Sequence, residues 1–493
     1  MGRRGLRLIS LAAVPVLVLS ACGGSTATQT TGATGSTSST STATGTPAAS
    51  VSVKPGNTKV VWFIGLGTGS QPNQLQVETD FINNYNDTNK DHITIVPSII
   101  PNANAIDVLK TQMAAGKGPD IVGPVGIEGR AGFPGVFLDI SAEITKQGTD
   151  VSVYGDKLLN SMKMGGALIG LPYALYSPFI FYNKDLFAAQ ALPGLPVKVG
   201  DKFNGEDWTW DTLAKYAKQL TVDQNGKKST DPAFNAAKTK QYGFDMQWVA
   251  DVRRFATTFG AGAYVAADGK TAQFPAAWGT AIKWYHDAMW VTKFAPNNAE
   301  RIAADMASGT TMGTGRVAME LAWGWAISSI GSVDAKGTST SKFAKWDMGV
   351  VPTNAGVTTA PVDSDTFSIL KSSKVPDQAY KAMIAMEADS SLTVTYGAMP
   401  ALPSLQAAYF TAQAASATAQ FPGNTVTWSV LTEMLKYAAN PTHQDPMPNY
   451  TKALNLDKSF YTALQSSGSF NVDAEIAKLV TAIQAAFNEP AAS

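Results

Sequence analysis

The sequence predicts an α/β fold around a parallel sheet with helices on both faces. Three observations lead there: β-branched and aromatic runs alternate with helical stripes, the first five segments come in the order β-α-β-α-β, and glycine-rich turns follow two of the three strands. Lys59 to Ile64 is the first strand-like run. Val77, Phe81, Ile82 and Tyr85 then share one helical face, because residues three and four apart are neighbours on a 3.6-residue turn. Ile93 to Val96 reads as the second strand. Ile106, Leu109 and Met113 form a second helical stripe that Gly116 can end in the left-handed conformation, and a third strand lies around Ile121 and Val122.

Ligands of such sheets bind beyond the carboxyl ends of the strands. Those ends are Gly65 to Gln71, Pro97 to Pro101 and Gly123 to Glu128; glycines in the first and last let backbone approach a ligand closely.

Ahead of this body, Arg3, Arg4 and Arg7 precede an apolar run from Leu8 to Leu19 that is too short to span a bilayer, so it reads as an export signal. It ends in Leu19-Ser20-Ala21-Cys22-Gly23, which matches a bacterial lipobox, with Cys22 the lipidated residue. Two or three acyl chains anchor a protein stably, and Cys22 is the only cysteine, which excludes internal disulfides. From Gly23 to Ser50 the chain is uncharged and has no large apolar side chain. It cannot bury a core, and as a coil of 28 residues it reaches about 30 Å.

Roughly 440 residues remain, enough for two or more domains. Lys plus Arg and Asp plus Glu each total 38, so no net charge favours nucleic acid or an anionic surface as partner. No cofactor or metal site is expected. Gly65-Leu66-Gly67-Thr68-Gly69 lacks both the spaced third glycine of a dinucleotide loop and the Gly-Lys-Ser/Thr of a phosphate loop. His92, His286 and His443 are too far apart for metal-ligand spacing, and Asp223-Gln224-Asn225-Gly226 reads as a plain turn. No Gly-x-Ser-x-Gly elbow is present. Asp363 and Asp365 would serve a glycosidase only from a cleft, at suitable separation.

A series of further motifs follows in order: Ala114-Ala115-Gly116 with Gly118-Pro119-Asp120, Gly170-Leu171-Pro172-Tyr173, and Tyr182-Asn183-Lys184-Asp185-Leu186-Phe187. Trp208-Thr209-Trp210-Asp211, Gly315-Arg316-Val317-Ala318-Met319 and Trp323-Gly324-Trp325 come next, then a helix Asp377 to Glu387, Met399-Pro400-Ala401, Met447-Pro448-Asn449 and the stripe Ile476, Leu479, Val480, Ile483, Phe487. In that order, from about Val60 to Phe487, the chain resembles the sugar-type extracellular solute-binding proteins, the family of the maltose-binding protein. The resemblance implies a two-lobed, periplasmic-binding-protein-like (type II) α/β fold with a hinge and an interlobe cleft. Residues 1–21 would be the signal peptide, 22–57 the lipidated tether, 58–176 plus 357–425 one lobe, and 177–356 plus 426–493 the other. It also implies a monomeric, non-enzymatic lipoprotein on the outer face of the cell membrane, which passes a small carbohydrate to the permease subunits of an ABC importer.

A sugar pocket needs flat aromatics for C–H faces and carboxylates or amides for hydroxyls. Trp325 and Trp323 fall in the family's stacking segment, Tyr173 and Tyr176 at the lobe crossing, and Trp248 ahead of a second-lobe wall. Glu128 lies near a binding carboxylate of the family, and Asp365 just before an expected strand Phe367 to Leu370. Thr68, Ser70 and Gln71 add polar groups from the first loop. Asp120, Tyr182, Asn183 and Lys184 read as structural. Leu321-Ala322 stands where the family often has Gly-Pro, and Pro124 removes a backbone donor from the third loop, so maltose-type contacts do not transfer wholesale. A membrane-anchored glycoside hydrolase and a sensory or adhesive module without transport are the alternatives.

Overall fold

The computed structural model describes residues 51–490 except 247–250, 304, 307–310, 331–340 and 445. The export signal, Cys22, the tether as far as residue 50, and Trp248 lie outside the described residues. Residues 51–57, expected to be tether, already belong to the body. Val51 packs on the core, and Lys54 Nζ donates to Asn86 O at 2.8 Å.

The first five elements come in the expected order: β1 (Thr58–Ile64), α1 (Pro72–Thr88), β2 (Ile93–Ile99), α2 (Asn102–Ala114) and β3 (Ile121–Val125). β1 lies between β2 and β3 and is parallel to both. Gly116 ends α2 in the left-handed conformation at φ 67°, and Lys117 N donates to Gln112 O at 2.8 Å, which closes the helix end.

The sheet is mixed, where a parallel one was expected. Its order is Met399–Pro400, Ala174–Tyr176, Asp363–Ile369, β3, β1, β2. Asp363–Ile369 runs antiparallel to β3; it arrives from late in the chain, so no crossover helix dictates its direction. That strand begins four residues before the expected Phe367, which places Asp365 inside it. Asp120 is structural, as expected: its carboxylate accepts from Val61 N at 2.8 Å and Ser373 Oγ at 2.6 Å, tying the foot of β3 to β1.

A second, antiparallel sheet has the order Met319–Trp323, Pro178–Asn183, Trp346–Gly349. Its central strand, Pro-Phe-Ile-Phe-Tyr-Asn, is buried throughout, which accounts for its near-continuous apolar run. Asn183 then caps the helix Lys184–Ala188 by accepting from Asp185 N and Leu186 N. Helices Tyr450–Ser466 and Val472–Phe487 pack on each other, and both pack on Ala276–Trp290. Asp223-Gln224-Asn225-Gly226 is a turn in which Asp223 Oδ1 accepts from Asn225 N and Lys227 N. No described helix is long and apolar enough to cross a membrane.

Candidate functional site

The carboxyl ends of β1 and β3 open onto a cavity of about 390 Å³, within the usual range of about 300–1,000 Å³ for small-molecule sites. The first loop reaches it through Leu66, Gly67 and Thr68, and the third through Gly126 and the short helix α3 (Ile127–Ala131), which brings Glu128 and Gly129. The neighbouring antiparallel strands contribute Tyr176, Asp363 and Asp365. The glycines serve the protein's own packing. A Cβ on Gly67 would sit 2.5 Å from Pro124 O, and one on Gly65, at φ 111°, 1.8 Å from Ile100 O. They let the loops touch one another, and these contacts are with the protein's own backbone, where close approach to a ligand was expected.

Of the expected site residues, Thr68, Glu128, Tyr176, Trp325 and Asp365 line this cavity together. Tyr173 and Trp323 do not line it. Trp323 is fully buried, its indole donating to Pro361 O at 2.7 Å, and Tyr173 packs its ring on Phe367 and Tyr396. Ser70 and Gln71 are also off the cavity, at the entry to α1, where Gln71 forms a capping box with Gln74. Trp248 lies outside the described residues.

The aromatic wall is built in layers. Trp323 and Trp325 stack at 5.5 Å with their planes 3° apart, and Tyr176 meets Trp325 edge-on at 5.4 Å. Trp323 is thus the buried backing that fixes the half-buried Trp325 at the cavity. Tyr396 lines the same space, and its hydroxyl donates to the buried Glu78 at 2.8 Å. Burial pushes the Glu78 carboxyl up to about 7 against the effect of that hydrogen bond.

The polar wall centres on Arg254, on the short helix Val252–Ala256. Its Nη1 donates to Asp251 at 2.9 Å, and its Nε and Nη2 form a fork on Asp363 at 3.1 and 3.0 Å. Nη2 also lies 3.4 Å from Glu128 Oε1, and the guanidinium carbon 5.5 Å from the Trp325 ring centre. Asp363 gains two more contacts, His443 Nε2 at 3.1 Å and Gln444 Nε2 at 2.9 Å. Burial alone would raise its pKa, but Arg254 and His443 outweigh it and hold the carboxyl well below the usual range.

Asp365 is the opposite case. Burial pushes it up to about 7, Arg130 opposes this, and the Asp363 charge adds to it. Its Oδ2 accepts from the Tyr176 hydroxyl at 3.3 Å. Arg130, fully buried, is itself lowered to about 10 by desolvation.

Sequence reasoning missed Arg254, Tyr396 and Gln444 as lining residues, and considered Asp363 only as half of a catalytic pair. Two signals were present. Asp363 and Asp365 are two apart in a strand and so face one side, and Arg253-Arg254 is an adjacent cation pair in a chain with only 15% charged residues. Among the described residues no cluster of His, Cys, Asp and Glu could hold a metal ion. A second cavity, of about 260 Å³, is lined by Val199 to Asp201, Asp207 to Thr209 and residues between 350 and 358; none of the expected site residues lies there.

A family model described as bacterial extracellular solute-binding protein matches residues 69–390. Among solved structures, an ABC substrate-binding protein from Listeria monocytogenes in complex with cycloalternan is 18% identical, with a TM-score of 0.66 over 87% of this chain and 98% of its own. A sugar transporter protein from Rhizobium etli in an open conformation is 18% identical, with a TM-score of 0.65 over 87% and 99%. The maltotriose binding protein of Thermus thermophilus, bound with maltotriose, is 17% identical, with a TM-score of 0.56 over 87% and 100%. No curated protein sequence matches the chain significantly. At such identities the likeness shows the fold, the two-lobed type II arrangement of periplasmic binding proteins.

Proposed function

The chain belongs to the bacterial extracellular solute-binding proteins, and from that premise we propose that it captures a mono- or oligosaccharide outside the cell and delivers it to an ABC importer. The observation that carries the sugar reading is one cavity lined both by aromatic rings, Trp325, Tyr176 and Tyr396, and by carboxylates, Glu128 and Asp365. Aromatic faces suit the C–H surface of a sugar ring, and carboxylates accept from its hydroxyls. The cavity volume, toward the small end for ligand sites, suits a short saccharide.

In this reading residues 58–176 plus 357–425 and 177–356 plus 426–493 are the lobes that close on the solute. Cys22 carries the lipid that holds a monomer on the outer face of the membrane, and permease subunits receive the closed form. Binding is favoured over hydrolysis because Asp363, the carboxylate nearest Asp365 in sequence, is already engaged by Arg254, His443 and Gln444. That leaves it poorly placed as a free nucleophile or base.

A thermal-shift screen of the protein against mono- and oligosaccharides, polyols, glycerophosphodiesters and peptides tests this. A sugar at 100 times its dissociation constant should add about 2.7 kcal/mol of stability and be recovered unchanged. Stabilisation by peptides alone, or turnover of a glycoside, would contradict it.

A further inference from the structure

Among the described residues, every side-chain donor to Asp363 comes from the segments assigned above to the other lobe. Asp363 opens a strand of the six-stranded sheet, whereas Arg254, His443 and Gln444 belong to residues 177–356 and 426–493. Glu128, on α3 beyond β3, is reached from the same side by Arg254 Nη2 at 3.4 Å and by Lys458 Nζ at 3.1 Å, from the helix Tyr450–Ser466. Asp251, which caps Arg254's own helix, fixes the guanidinium through Nη1. The other edge of the planar fork is therefore turned to Asp363 and Glu128. Arg254, Glu128 and Asp363 all line the cavity.

We propose that Arg254 is the positioning residue of the cleft: a guanidinium tie, carried by one lobe and received by Asp363 and Glu128 of the other, that holds the lobes closed and fixes both carboxylates at the cavity wall. Opening the cleft strips Asp363 of these donors and returns both carboxylates and the guanidinium to water. The tie thus sets how far the protein closes without solute. The inference rests on reading the cavity as a ligand cleft between two lobes.

The test uses the full chain carrying Cys22→Ser, so that introduced cysteines at the exposed positions Gln76 on α1 and Asn455 on the helix Tyr450–Ser466 are the only thiols. Spin labels there report the interlobe distance distribution with no sugar present. Arg254→Met should raise the open-to-closed ratio about tenfold or more, through loss of charge-assisted hydrogen bonds, and Arg254→Lys should fall between the variant and the parent. A distribution unchanged by Arg254→Met overturns the tie. If that variant loses cooperative unfolding, Glu128→Gln with Lys458→Gln removes the outer contacts, and a smaller lengthening is expected; no change there overturns it equally. Because no sugar is added, failure of this test is separate from failure of the sugar screen.

Discussion

Among the buried arginine–carboxylate clusters of the described residues, those of Arg301 and Arg254 differ in what they leave open. Arg301 donates through Nε and Nη2 to Asp245 Oδ1 at 2.7 and 2.6 Å, and it also reaches the Tyr285 hydroxyl. Thr311 Oγ1 lies 2.7 Å from both Asp245 and Glu320, and burial with the Asp245 charge raises Glu320 well above the usual carboxyl range. None of these residues lines the cavity at the strand ends. The Arg254 cluster uses the same chemistry but borders that cavity, with Glu128 and Asp365 on its wall. The Arg301 cluster is enclosed by the protein, with Arg301 Nη1 and Glu320 Oε1 left without hydrogen-bond partners among the described residues, whereas the Arg254 cluster borders the cavity.

The sharpest way to break this comparison is to remove the interior arginine. Arg301→Met leaves Asp245 buried without its ion-pair partner, and stability should fall by about 3–5 kcal/mol in denaturant unfolding. Any sugar response should persist wherever the variant stays folded. A loss under about 1 kcal/mol would mean the cluster is not structural.

The next effect is one of pH. Asp365 in the folded chain is raised to about 7, above its unfolded value of about 3.9, so the native state binds the extra proton between those values. Its contribution to stability is complete below the unfolded pKa and is lost as pH rises through about 7. Glu78 and Asp457 are also raised to about 7, so the informative quantity is a difference. Asp365→Asn, which mimics the protonated acid, should gain stability relative to the parent from pH 4 to about 7 and hold that gain above. A difference that stays flat with pH would show that Asp365 ionises normally.

The two halves of the site were not equally legible in the sequence. β1 to β3 and the helices between them follow from apolar periodicity, because the sheet buries those side chains in a core. The strand Asp363–Ile369 was foreseen only from Phe367 onward: its first residues turn carboxylates to a cavity and carry no apolar signal. Arg254 sits on a five-residue helix, too short for any period to show. Trp323 and Trp325 read alike as ligand faces, and only packing separates the buried indole from the one beside the cavity.

That pair of tryptophans gives the most direct test that the cavity is the ligand site. Calorimetric titration of the sugar that stabilises the parent is compared in Trp325→Ala and Trp323→Ala, with apo stability measured by denaturant. Trp323→Ala should cost about 3–5 kcal/mol of stability, as removal of a buried indole does. Trp325→Ala should leave apo stability closer to the parent and weaken sugar binding by about 2 kcal/mol, roughly thirtyfold. Unchanged sugar affinity in Trp325→Ala would place the ligand elsewhere and contradict the assignment of this cavity.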